Sequence, residues 1–168
     1  SLARVRGEAE SIIALQPELV FVASYTQAES VSLLINAGIP VVRLPDADSL
    51  AAIKNNIRLI AQTTDSTPQA EQLIQRLLTI EHNLAIEIDR ASEQNNNALA
   101  TLFFSPSGYS AAEGSLADEM LSFLGGHNVL AATGLRGLPK ISTEMAIALQ
   151  PEVILMTGWC PDMPITPA

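Results

Sequence analysis

The stretch Ala14-Leu15-Gln16-Pro17-Glu18-Leu19-Val20 returns later in the chain as Ala148-Leu149-Gln150-Pro151-Glu152-Val153-Ile154. In each copy a proline follows residues of helical character and precedes a short apolar run, which spells helix, corner, buried strand. The offset from Pro17 to Pro151 is 134 residues, and it also carries Glu10 onto Glu144, placing a glutamate at the start of both helices. A lone Leu-x-Pro-Glu carries little weight, but an extended run with a registered glutamate marks a duplicated supersecondary unit. Two related lobes are therefore expected.

Working outward from the first copy, Glu29 to Ala37 sets Val31, Leu34 and Ile35 on one helical face and stops at Gly38, where a left-handed cap costs little. The apolar Ile39-Pro40-Val41-Val42 then reads as a strand. Ser49 is a good N-cap for a helix from Leu50 to Ala61, with Ile53, Ile57 and Ile60 at helical spacing. This alternation favours a parallel sheet covered by helices.

From Pro68 to about Gln94 the residues Leu73, Ile74, Leu77, Leu78, Glu81, Leu84, Ala85 and Ile88 keep one helical stripe without a Gly or Pro. At about 1.5 Å per residue such a helix reaches roughly 40 Å, longer than a small domain needs. A strut between two lobes explains that length; a helix laid across one domain is the alternative. Ala98 to Phe104 restarts the strand pattern, followed by the loop Ser105-Pro106-Ser107-Gly108-Tyr109, a helix from Leu116 to Leu124 closed by Gly125-Gly126, a helix from Ser142 to Leu149 and a strand from Val153 to Thr157. The expected fold is α/β, with two related lobes, each a mostly parallel sheet with flanking helices, bridged by one long helix. Residues 1–65 belong to the N-terminal lobe, 66–94 to the connecting helix and 95–168 to the C-terminal lobe.

Composition narrows the chemistry. In 168 residues, 18 acidic against 9 basic side chains give a net charge of −9, which argues against partners held through phosphates, nucleic acid included. Nothing approaches the roughly 18 consecutive apolar residues of a membrane-spanning helix. The single cysteine, Cys160, excludes an internal disulfide and a cysteine-built zinc cage. No Gly-x-Ser-x-Gly elbow and no glycine-rich phosphate loop is present, and Asp118 and Glu119 point about 100° apart on a helix, so no catalytic residue is assigned. Glu10 and Glu144 could simply complement helix dipoles. Their equivalence suits a partner with two matching basic patches instead.

These residues resemble the periplasmic binding proteins of ABC importers for ferric siderophores, haem and vitamin B12. The resemblance rests on Glu10 to Val22 (ESIIALQPELVFV), Ala37 to Val42, Gly108 to Asn128 (GYSAAEGSLADEMLSFLGGHN) and Ile141 to Met156 (ISTEMAIALQPEVILM). Members usually carry Pro-Asp where this chain has Pro-Glu. The resemblance implies a non-enzymatic importer component outside the cytoplasm, periplasmic or lipid-anchored, with further segments before Leu2 and after Trp159. It also implies that Glu10 and Glu144 dock on arginines of the membrane permease. The ligand would be a ferric siderophore, a corrinoid or haem, held in the cleft between lobes at the carboxyl ends of the strands.

Tyr25, Tyr109 and Trp159 follow the ends of three strands, and aromatic faces stack on planar macrocycles, although each ring could equally cover a strand end. Arg136, in a Gly-flanked loop, could pair with an anionic ligand group, and Ser105 could donate a hydrogen bond, as could Ser107. Only His82 and His127 are present, too few for the bare zinc or manganese site of related importer proteins. The competing readings are a sensor domain or an α/β enzyme that kept the fold.

Overall fold

The computed structural model describes residues 8–94 and 98–156. In the first half, strand β1 (Val20–Ala23) pairs in parallel with β2 (Val41–Leu44), from Val20 opposite Val41 to Ala23 opposite Leu44. Helices α1 (Ala9–Ile13) and α2 (Ala28–Asn36) cover this pair. Their small core joins Ala9, Val22, Leu34 and Ile39, with Ile12, Ile13 and Val31 packed against it. Gly38 ends α2 at φ 79°, and Ile39 N–H reaches back to the Leu34 carbonyl at 3.1 Å, which turns the chain directly into β2.

Ser49 caps helix α3 (Leu50–Thr63), its hydroxyl accepting from Ala52 N–H at 3.0 Å. Helix α4 (Thr67–Gln94) follows and runs unbroken for 28 residues. Ion pairs tie α3 to α4 at Lys54–Glu81, 2.8 Å, and Arg58–Glu71, 2.9 Å. The covered stripe of α4 is narrower than the sequence predicts. Ala70 and Ile74 are buried and Leu77, Glu81, Ala85 and Ile88 partly so, whereas Leu73, Leu78 and Leu84 are exposed. Side chains three and four apart line up only where a neighbour lies against them, and α3 is that neighbour over the first half of α4.

The second sheet has the order β4-β3-β5, all parallel: β3 (Ala100–Phe104) lies between β4 (His127–Asn128) and β5 (Val153–Met156). Its core gathers Leu102, Ala112, Val129, Leu130, Ile141 and Ala146, the last from α6 (Thr143–Ala148), while α5 (Leu116–Phe123) lies against β4. The fold is thus α/β, with two parallel sheets bridged by one long helix.

The sequence repeat is also a backbone repeat. α1 with β1 and α6 with β5 occupy registered positions, and the corner between helix and strand is made in both by a glutamine in the left-handed region, Gln16 at φ 48° and Gln150 at φ 47°. Gln16 N–H donates to Ile13 and Gln150 N–H to Ile147, at 3.0 and 3.1 Å. A left-handed residue without Cβ relief is uncommon, so its recurrence at one register is more specific than shared apolar character. Among the described residues no helix is long and apolar enough to cross a membrane.

Candidate functional site

Every strand in each sheet points the same way, so the loops after the strands collect at one end. β1 leads into Ser24–Gln27, β2 into Pro45–Ser49 and β3 into Ser105–Tyr109. Among the described residues a single hydrogen bond crosses from the first half to the second: Leu50 N–H, at the start of α3, donates to the Glu119 carboxylate of α5 at 2.7 Å. Leu50 lies beyond the end of β2 and Glu119 beyond the end of β3. The bond thus joins the segments that follow β2 and β3, and in open α/β sheets ligands are held by the loops at the carboxyl ends of the strands.

In the loop after β1 stands Tyr25, 87% exposed. Its loop is held from β2, where Arg43 Nη1 donates to the carbonyls of Ala23 and Thr26, both at 3.2 Å, and to that of Ser24. Ser24 Oγ donates to the carboxylate of Asp46.

After β3 a tight turn presents Tyr109, 52% exposed. Ser105 N–H donates to the Tyr109 carbonyl at 2.8 Å, Tyr109 N–H donates back to Ser105 Oγ at 2.9 Å, and Gly108 takes φ 83°. Ser105 and Ser107 hydroxyls lie 3.0 Å apart. Beyond the turn the chain pairs with residues 136–141: Ser110 N–H meets the Pro139 carbonyl, Ala112 N–H the Gly137 carbonyl and Ile141 N–H the Gly108 carbonyl, at 2.9 to 3.0 Å. This pairing brings Arg136 beside Glu113, with Nη1 3.3 Å from the carboxylate, and sets Lys140 Nζ 6.0 Å from the centre of the Tyr109 ring. Lys140 escapes sequence reading because an antiparallel contact between two irregular loops has no period to detect.

Tyr25 thus sits in the loop after β1, and Ser105, Tyr109 and Arg136 share one loop platform after β3. Trp159 lies outside the described residues. The adjacent carboxylates of α5 face different partners. Asp118 accepts from Asn128 Nδ2 at 2.8 Å while Glu119 serves Leu50. Buried Asn128 also donates to the Ala111 carbonyl at 3.0 Å and accepts from Leu130 N–H at 3.1 Å, which fastens the Tyr109 platform to β4 and α5.

Glu10 and Glu144 are exposed in the first turns of α1 and α6. Its own backbone N–H and the Ser142 hydroxyl hold the Glu144 carboxyl below the usual glutamate range. His82 and His127 are exposed on separate elements, and no three His, Cys, Asp or Glu side chains among the described residues are grouped to hold a metal. An apolar groove of about 310 Å³ lies where α3 turns into α4, lined by Ile57, Ile60 and Leu73 among others, remote in sequence from the loops after the strands.

The family described as periplasmic binding protein matches residues 3–166. Molybdate-binding protein MolA of Haemophilus influenzae is 27% identical to this chain, over 92% of the chain and 48% of that protein. The vitamin B12-binding protein of Salmonella choleraesuis is 28% identical, over 89% of the chain and 54% of that protein. Among solved structures, the periplasmic haem-binding protein RhuT from Roseiflexus sp. RS-1 superposes with a TM-score of 0.72 at 27% identity, covering 89% of this chain and 57% of that one. The chain spans about half the length of the curated relatives it matches. By its match along nearly its whole length, the chain belongs to the periplasmic binding protein family.

Proposed function

We propose that this protein is the extracytoplasmic substrate-binding component of an ABC importer, capturing a siderophore-bound iron, a haem or a corrinoid between two lobes and delivering it to a membrane permease. The observation that supports the reading is the Leu50–Glu119 bond, which joins the segments following β2 and β3, together with exposed Tyr25 in the loop after β1 and exposed Tyr109 in the loop after β3. Two such aromatic faces suit a large ligand with flat surfaces. The names of the relatives, which bind vitamin B12 and haem, support that ligand class. Residues 1–65 and 95–168 would contribute to the two lobes, with 66–94 between them. Tyr25, Ser105, Tyr109, Arg136 and Trp159 would touch the ligand, and Glu10 and Glu144 would meet the permease. The protein would act by binding and release, without turnover.

A second reading is uptake of an oxyanion, favoured by the similarity to a molybdate-binding protein and by the placement of Arg136 and Lys140 on the Tyr109 platform. Titrating the full-length protein with hemin, cyanocobalamin, ferric siderophores and molybdate, with zinc and manganese as controls, separates the two by intrinsic fluorescence. Saturable quenching by a macrocycle or siderophore supports the first reading. A response to molybdate alone supports the second, and silence throughout refutes both.

A further inference from the structure

We propose that Arg43 is a positioning residue for the ligand gap, fixing the place of Tyr25 by gripping the loop that carries it. The inference rests on the reading of that gap as the ligand site. Four other cations among the described residues, Lys54, Arg58, Arg90 and Arg136, lie within 2.8 to 3.3 Å of a carboxylate. Arg43 differs. Its Nη1 donates to three places along one loop, the carbonyls of Ala23, Ser24 and Thr26. A guanidinium serves this purpose well because its donors are planar and its charge persists at any working pH.

Holding the sheet together does not require this grip. The ladder between β1 and β2 already runs from Val20 and Val41 to Ala23 and Leu44, and Arg43 makes its bonds at and beyond the last rung. Apart from it, the loop is closed by the Thr26 N–H to Ala23 carbonyl bond at 3.1 Å and by Ser24 against Asp46. Tyr25 is 87% exposed, so no packing against its ring decides where it stands. The backbone on either side decides it, and Arg43 binds the residue before Tyr25 and the residue after. A ring held in place before the ligand arrives spares the ordering cost that binding would otherwise incur.

The test is a double-mutant cycle in the full-length protein, with hemin and cyanocobalamin as probes and dissociation rates as the readout. R43Q is expected to weaken whichever probe binds by about tenfold, chiefly through faster release, because a loosened loop lowers pre-organisation. R43K, whose ammonium can still donate to carbonyls, should recover some of the loss. The combined Y25A and R43Q protein should bind no worse than Y25A alone, since an unanchored loop without its ring has nothing more to lose. R43Q with Y109A should show independent, multiplying losses. Unfolding temperatures of the variants verify that the fold survives, and a general loosening of the protein would make both pairs multiply alike. The inference is overturned if Y25A weakens binding while R43Q leaves it unchanged, or if the Y25A and R43Q losses multiply. The parent reading fails in a different manner, with the wild-type protein binding neither probe or Y25A binding as the wild type does, and either result also removes the role of Arg43.

Discussion

Replacing Glu119 by alanine removes the one hydrogen bond by which the described halves of the chain hold each other. Leu50 N–H is among the first amides of α3, which have no acceptor inside the helix. Ser49 Oγ takes Ala52 N–H, and Glu119 supplies the second acceptor from another element. Losing a capping acceptor costs about 1 kcal/mol. A carboxylate at a helix N-terminus contributes roughly a further 0.3–1 kcal/mol through the helix dipole. The sum is about 1–2 kcal/mol, and in a chain of this size each kcal/mol lowers the unfolding temperature by about 2–4 °C. E119A should therefore melt about 2–8 °C below wild type, with hydrogen exchange at Leu50 accelerated about 5- to 30-fold if local opening follows the same free energy. E119Q keeps an acceptor and loses the charge, so it should fall between the two and respond less to added salt. Calorimetry and site-resolved exchange measure both effects. An E119A protein that melts within about 1 °C of wild type, with Leu50 exchanging at its original rate, refutes the reasoning.

Gly126 is predicted to reject alanine, because a Cβ there would lie 2.3 Å from Leu121 Cδ1 and 2.9 Å from its Cγ, and Leu121 is buried; denaturant unfolding of G126A should show a loss of about 1–3 kcal/mol. Removing the Ser142 hydroxyl should let the Glu144 pKa climb back towards its ordinary value, which an NMR titration of S142A follows directly. A carboxylate depressed in the folded state stabilises above its ordinary pKa and loses that contribution as pH falls through the lowered value. The stability gap between wild type and S142A should accordingly narrow on acidification below about pH 4, and a gap that stays constant would contradict the assignment. Reversing both Glu10 and Glu144 to arginine in the full-length protein should abolish uptake while leaving ligand affinity intact; weakened affinity would place these glutamates elsewhere than at the permease.

Local signals carry most of the fold. Ser49 caps α3 by the mechanism its sequence position implies, Gly38 ends α2 in the expected left-handed turn, and the Pro-Glu repeat marks two equivalent corners. Each of these depends on residues a few places apart. Strand β4 is only two residues long, too short for alternation to register, and it exists because His127 and Asn128 line up beside Ala100 and Thr101. The site is legible to a similar depth. Tyr25 and Tyr109 follow strand ends, which sequence order alone reveals. That Lys140 approaches Tyr109, that Arg43 grips the Tyr25 loop and that Glu119 reaches Leu50 depend on long-range packing, and no spacing within either segment encodes it. The apolar positions Leu73, Leu78 and Leu84 belong to the helical stripe yet stay uncovered for the same reason, since periodicity shows which residues could share a face but not whether anything lies against it.

The two ion pairs on α4 have a kinematic consequence. Glu71 and Glu81 brace the first half of the helix against α3. From His82 to Ala91, among the described residues, no ion pair or hydrogen bond reaches another element. A rod clamped over half its length bends in its free part, so α3 and the first turns of α4 form one stiff unit and any bending of the helix falls on the turns beyond it.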